Sequence, residues 1–168
     1  MYVVAFEVSD EEGVQLLAPT PELKREDETP EQFANRIADK DLPANTTHAM
    51  VLLEKDLPTR FYRRAWAFGG GVSIDIEIAK EIEKNRWRAE REPILSALDK
   101  EVSKALALDD KAAALVAEQK RQQLRDVTKT DLSAVASVAD LKAVRPAALD
   151  IKPTGDGNDR TAKGPGQG

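Results

Sequence analysis

Few side chains in this chain have the type and spacing that acid–base, nucleophilic or metal chemistry requires. The one histidine, His48, lies in the strand-like run 47–58, with no serine nucleophile or second ligand placed to use it. Cysteine is absent, which excludes thiolate metal sites and thiol catalysis. Asp75 and Glu77 are one residue apart and could bind a divalent cation, but acidic residues there more often favour a helix N-terminus. We therefore expect a non-enzymatic protein with no metal and no cofactor.

A run of three glycines at 69–71 is the nearest approach to a nucleotide-binding loop. It lacks the further glycine and the spacing of a dinucleotide loop, and it lacks the Gly-Lys-Ser/Thr ending of a phosphate loop. We interpret the segment 69–75 as a flexible glycine joint between two halves of the chain.

Basic residues alternate with aromatic ones in "RFYRRAW" (60–66) and "KNRWRAER" (84–91), a pattern that can bind single-stranded nucleic acid. Eight basic and five acidic residues lie between 60 and 91, a net charge of only +3, and the whole chain carries −5. A third basic stretch, "EQKRQQLRDVT" (118–128), fits one face of a helix. Nucleic-acid binding therefore stays a second alternative to protein binding.

Composition predicts a modest core. The 168 residues are 41% apolar and include eight aromatic side chains, so the core is built from aliphatic residues and favours oligomerisation or a partner. The N-terminus lacks a basic signal-peptide region, and no apolar stretch approaches the 18 residues of a membrane span. We expect a soluble protein made in a cytoplasm.

The first 68 residues predict a small α+β domain. Strands are expected at 2–9 and 14–19, joined as a hairpin through Gly13, and a third strand at 47–58. Thr29 is expected to cap a short helix that begins with Pro30.

The second half predicts a long antiparallel α-helical hairpin over 76–128, with a kink at Pro93. Asp109 or Asp110 caps the second helix, and a short helical segment at 129–146 is followed by an extended tail at 147–168, flexible or ordered by a partner. The predicted buried stripe of the first helix is Ile78, Ile82, Ile94, Leu98, Val102 and Ala105. That of the second is Ala113, Val116, Ala117, Leu124 and Val127.

The second half also carries a motif set that resembles a group of small proteins of tailed bacteriophages, related to tail-fibre assembly and tail assembly chaperone proteins. The resemblance covers about residues 60–146. Its motifs are an "FRxAW"-like entry, an "R…R.P.L..LD" helix, and "KQxLRD" in the return helix. The chain departs at Arg145, where the family commonly has tryptophan, which puts a fibre-binding role of that aromatic in doubt.

The resemblance implies a structural protein of the virion, at the neck, tail or fibre attachment. Such a protein acts by protein–protein interaction, with a tail or fibre multimer as its partner, and forms a homo- or hetero-oligomer. The alternative is an assembly chaperone absent from the mature particle. Either protein would be present in the host cytoplasm during assembly, and the structural protein would remain in the virion. We expect seven side chains to act as interface or packing residues: Phe61, Trp66, Trp87, Leu95, Leu98, Leu124 and Arg125.

Overall fold

A computed structural model describes residues 1–154 of the chain. It divides into two compact units, and the main boundary lies between Ile82 and Glu83. Unit 1 comprises Met1–Ile82 with Ala136–Val138, and unit 2 comprises Glu83–Val135 with residues 139 to 154. The predicted α+β class, with an N-terminal three-stranded sheet and a long helical hairpin, is confirmed.

A three-stranded antiparallel sheet forms the centre of unit 1. Its strands β1 (Tyr2–Val8), β2 (Gln15–Leu17) and β3 (Thr46–Leu53) have the order β2-β1-β3. The turn before β2 contains Gly13, whose φ of 89° is a left-handed conformation that glycine adopts without strain. Successive side chains of β1 point to opposite faces of the sheet, and its apolar residues from Val3 to Phe6 and Val8 are buried, so both faces of this strand are covered.

Helix α1 (Pro30–Asp41) packs on β1, and its start agrees with the predicted cap. The Thr29 hydroxyl accepts a hydrogen bond from the Gln32 backbone N–H at 3.2 Å. The Gln32 side chain accepts from the Thr29 N–H at 2.9 Å, which completes a capping box. Two donors that a helix start leaves unpaired are thereby satisfied.

The predicted glycine joint is wrong in its structural role. The glycines connect β4 (Trp66–Phe68) to β5 (Val72–Ile74), which pair as an antiparallel hairpin, and Gly70 at the turn has φ 79°. Trp66 packs in one hydrophobic cluster with Ala5 and Val14 of the first sheet. The segment 69–75 is therefore part of unit 1, because its strand side chains are needed to cover that sheet.

The helical hairpin consists of α2 (Ile76–Ala107) and α3 (Lys111–Asp126). Helix α2 continues through Pro93, which is exposed, although proline removes one backbone hydrogen bond from the helix. A three-residue loop follows, and Asp110 caps α3 by accepting from the Ala113 N–H at 2.9 Å. Asp109 has φ 53°, the left-handed conformation of the tight turn.

Two side-chain contacts establish that the helices run antiparallel within unit 2. Arg91 donates from Nη1 to the carbonyl oxygens of Leu124 at 3.2 Å and Arg125 at 2.9 Å, near the C-terminus of α3. Arg121 Nε lies 2.6 Å from Asp99 Oδ1. Arg91 thus places a cation at the carbonyls of the last turn of α3, the negative end of the helix dipole, where the Leu124 carbonyl also accepts from the Val127 N–H.

The predicted stripes are only partly buried. Leu98, Ala105, Ala117, Leu124 and Val127 are buried as expected. By contrast, Ile78, Ala113 and Val116 are exposed, whereas the neighbouring Ala114 is buried. The buried face of α3 is therefore rotated from the predicted one, because one residue step turns a helix by about 100°.

The C-terminal part of unit 2 has more structure than the predicted tail. Helix α4 (Val138–Ala143) forms the core of the predicted 129–146 segment. Ala147–Asp150 is a 3-10 turn whose Leu149 is buried and which contacts α3. The remainder of the predicted 147–168 tail, from residue 155 onward, lies outside the described residues.

Candidate functional site

The turn end of the helical hairpin exposes four large apolar side chains within eleven positions. We call Leu106, Leu108, Leu115 and Val116 the hairpin end. Their exposed fractions are 60%, 70%, 60% and 51%, in that order. Leucine at the surface is common singly, but a cluster beside a groove is typical of a binding surface.

A groove of about 490 Å³ lies beside the hairpin end and includes Leu108 and Val116 in its walls. Short side chains on both helices, among them Ala105, Ala113 and Ala117, form the rest of its apolar surface. Small residues let another chain approach the helix backbones closely. The groove has the concave apolar shape that accepts side chains of a partner.

Charged residues of both signs surround this groove. Glu101 Oε2 accepts from the Thr154 hydroxyl at 3.3 Å, and Lys120 Nζ lies 3.5 Å from the same hydroxyl. The second carboxylate oxygen of Glu101, Oε1, is buried and has no hydrogen-bond partner among residues 1–154. Lys104, one turn further along α2, forms no ion pair within that range. The rim thus carries charges of both signs, and Lys104 has no ion-pair partner in the described part of the chain.

The seven residues predicted from the sequence are not brought together at one site. Phe61 and Trp66 belong to unit 1, and the other five belong to unit 2. Trp66 is buried and donates from Nε1 to the Thr59 carbonyl at 3.3 Å, whereas Phe61 is 51% exposed and lies edge-on to Tyr62 at 4.7 Å.

In unit 2 the predicted residues are mainly packing residues. Trp87, Leu98 and Leu124 are buried, and Leu95 is half-buried. The exposed Arg125 forms an ion pair with Glu118 at 3.0 Å. None of these five belongs to the hairpin end.

An ion-pair cluster that the sequence did not reveal joins α2 to the C-terminal segment of unit 2. Arg145 Nη2 lies 2.6 Å from Glu90 Oε1, and Arg145 Nε lies 3.2 Å from Asp150 Oδ1. The hydrogen bond from Arg145 lowers the pKa of Glu90, and the two carboxylates raise the pKa of Arg145. Arg145 therefore links α2 to the C-terminal segment of unit 2.

The sequence patterns do not single out the hairpin end. Val116 fits the helical period of the predicted buried face, Leu108 lies in the loop, and Leu106 and Leu115 fall outside the predicted stripes. A usable signal was present: Leu115 and Val116 are adjacent, so both cannot point to one narrow buried stripe.

No family model, curated protein or solved structure matches the chain. Within residues 1–154, no group of three or more His, Asp or Glu side chains is placed to hold a metal ion. None of the helices in that range has both the length and the apolar character that a membrane crossing needs.

Proposed function

We propose that the chain is a non-enzymatic structural protein of a tailed-bacteriophage particle, at the neck, tail or fibre attachment, and that it assembles through the hairpin end. The observation that carries the protein-binding part is the cluster Leu106, Leu108, Leu115 and Val116, exposed beside a groove. The phage context rests on the motif resemblance over about residues 60–146.

The energetic reason for a partner is the apolar surface that the hairpin end leaves in water. Burying one aliphatic side chain of this size fully is worth roughly 1.5–3 kcal/mol. Leu108 is 70% exposed, so most of that contribution is unused within the chain. Four such side chains together supply a hydrophobic centre of the kind found in stable interfaces.

The partner that fits best is a second copy of the same chain. In a two-fold contact, a group on one copy meets a different group of the other, and the reverse pairing occurs by symmetry. Glu101 and Lys104 lie three residues apart on one rim. Two copies packed through their hairpin ends can pair Lys104 of each copy with Glu101 of the other while the leucines are buried.

Light scattering after size-exclusion chromatography tests self-association. The wild-type chain should elute at a multiple of its 18.5 kDa mass, and Leu108→Asp and Val116→Asp should elute as folded monomers. Leu23→Asp is the matched control, because Leu23 is also 60% exposed but belongs to unit 1. If the wild-type chain is still a monomer at about 100 μM, roughly 100 times the Kd of a micromolar complex, the proposal is contradicted.

Mass spectrometry of purified phage particles tests the structural role separately. A structural component is expected in particles at a fixed copy number. An assembly chaperone with the same hairpin end would be abundant in infected cells and absent from particles. That result would retain the interface and replace the virion role.

A further inference from the structure

A second cleft, of about 540 Å³, lies within unit 1 and is independent of the hairpin end. Its walls include Val14 and Ile82, and its rim carries Arg60, Arg63 and Arg64 around the exposed ring of Phe61. The cleft therefore combines an apolar wall with a strongly basic rim, in a chain whose net charge is −5.

Two of the three arginines form no ion pair within the described residues. Arg60 Nη2 forms an ion pair with Glu54 Oε1 at 2.7 Å. The side chains of Arg63 and Arg64 are exposed and form no ion pair or hydrogen bond among residues 1–154. Adjacent like charges repel, and nothing in the fold of unit 1 uses them. A ligand with negative charge would relieve that repulsion.

The basic rim is held on a rigid support. Arg60–Ala65 is a 3-10 segment in which Tyr62 and Ala65 are fully buried, so the arginines between them are directed outward. The Ala65 carbonyl accepts from the Asp75 N–H at 2.7 Å, which ties the segment to the strand that follows the glycine turn. A preorganised backbone reduces the entropy lost when the rim binds a ligand.

We propose that this cleft binds an acidic peptide segment that carries one apolar side chain. The carboxylates would pair with Arg63 and Arg64, and the apolar side chain would lie against Phe61 and the Val14–Ile82 wall. Guanidinium groups suit carboxylates because both are planar and can form paired hydrogen bonds.

An acidic protein segment fits the cleft better than single-stranded nucleic acid. Glu54 already pairs with Arg60, so two guanidinium groups are left for a ligand, which suits a short segment with a few carboxylates better than a phosphate backbone that carries a charge at every nucleotide. Nucleic-acid grooves also use several aromatic side chains to stack successive bases, and Phe61 is the one aromatic ring that lines this cleft.

Fluorescence anisotropy of the full chain tests the proposal with a labelled peptide that has a central leucine and two acidic residues on each side. The peptide should bind at an ionic strength of about 0.1 M or below, and Arg63→Glu combined with Arg64→Glu should weaken binding by about tenfold or more. Arg88→Glu combined with Lys100→Glu makes the same charge change on exposed residues of α2 in unit 2 and should leave binding unchanged. Arg63→Gln with Arg64→Gln repeats the test without charge reversal, should the Glu pair unfold unit 1.

Four outcomes overturn the proposal. The peptide fails to bind the wild type, the α2 control pair weakens binding as much as the cleft pair, or a serine-for-leucine peptide binds equally well. Competition by an oligothymidylate at lower concentration than the peptide also overturns it, in favour of nucleic acid. The hairpin-end variant Val116→Asp should bind the peptide normally, so failure at one surface is distinguishable from failure at the other.

Discussion

Leu98→Ala tests whether the hairpin has its own core. Leu98 is 0% exposed on α2, so the substitution removes fully buried methyl groups and leaves a cavity in unit 2. Leucine-to-alanine changes at buried sites cost roughly 2–5 kcal/mol. Alanine is at least as good a helix former as leucine, so helix propensity does not add to this cost.

Urea unfolding followed by far-UV circular dichroism measures the effect, at a concentration where light scattering shows a monomer. With a slope of about 2 kcal/mol per molar urea, the midpoint of unit 2 should fall by about 1–2.5 M. The fluorescence of Trp87, which is buried in the same unit, should follow the same transition.

Leu115→Ala is the matched control, because it makes the same chemical change on the same hairpin at a side chain that is 60% exposed. Its stability should change by no more than about 0.5 kcal/mol. Equal midpoint shifts for Leu98→Ala and Leu115→Ala would refute the assignment of Leu98 to the core and of Leu115 to the surface.

Two further predictions concern unit 1. Gly70→Ala should destabilise unit 1 by about 1–2 kcal/mol, because Gly70 has a left-handed φ of 79°. Gly71→Ala should be neutral, since open space surrounds Gly71 and its φ is not left-handed. Thermal unfolding compares the two variants, and equal effects would contradict the turn geometry. The Arg36 guanidinium lowers the pKa of Glu28 to about 2. The ion pair therefore contributes to folding stability above pH 4.5, and this contribution is lost as the pH falls toward 2. The stability difference between wild type and Arg36→Gln should therefore shrink over that range, and a pH-independent difference would count against the pair.

Local signals determined much of the architecture. The capping box at Thr29 and Gln32 and the cap at Asp110 each involve atoms no more than three residues apart, so the residue types suffice to place the helix starts. The three strands of unit 1 followed from β-branched runs and from the turn at Gly13, which depend on short-range alternation.

The structural role of the glycine run at 69–71 depends on residues that are distant in the sequence. A glycine turn between strands and a glycine joint between domains have the same composition. Only the packing of Trp66 against Ala5 and Val14, some sixty residues earlier in the chain, makes the segment a hairpin inside unit 1.

The sequence by itself determined the three strands of the first sheet, the start of α1 and the antiparallel helical hairpin, since these depend on neighbours along the chain. Tertiary structure alone decided which face of α3 is buried, because an alanine-rich helix offers two stripes of similar apolar character. Contacts such as Arg121 with Asp99 select one of them and leave Leu115 and Val116 exposed. The tertiary structure likewise pairs Arg145 with Glu90, which lies fifty-five positions away in the sequence. The surface proposed to bind a second copy exists because of that choice of helix rotation, which no local pattern specifies.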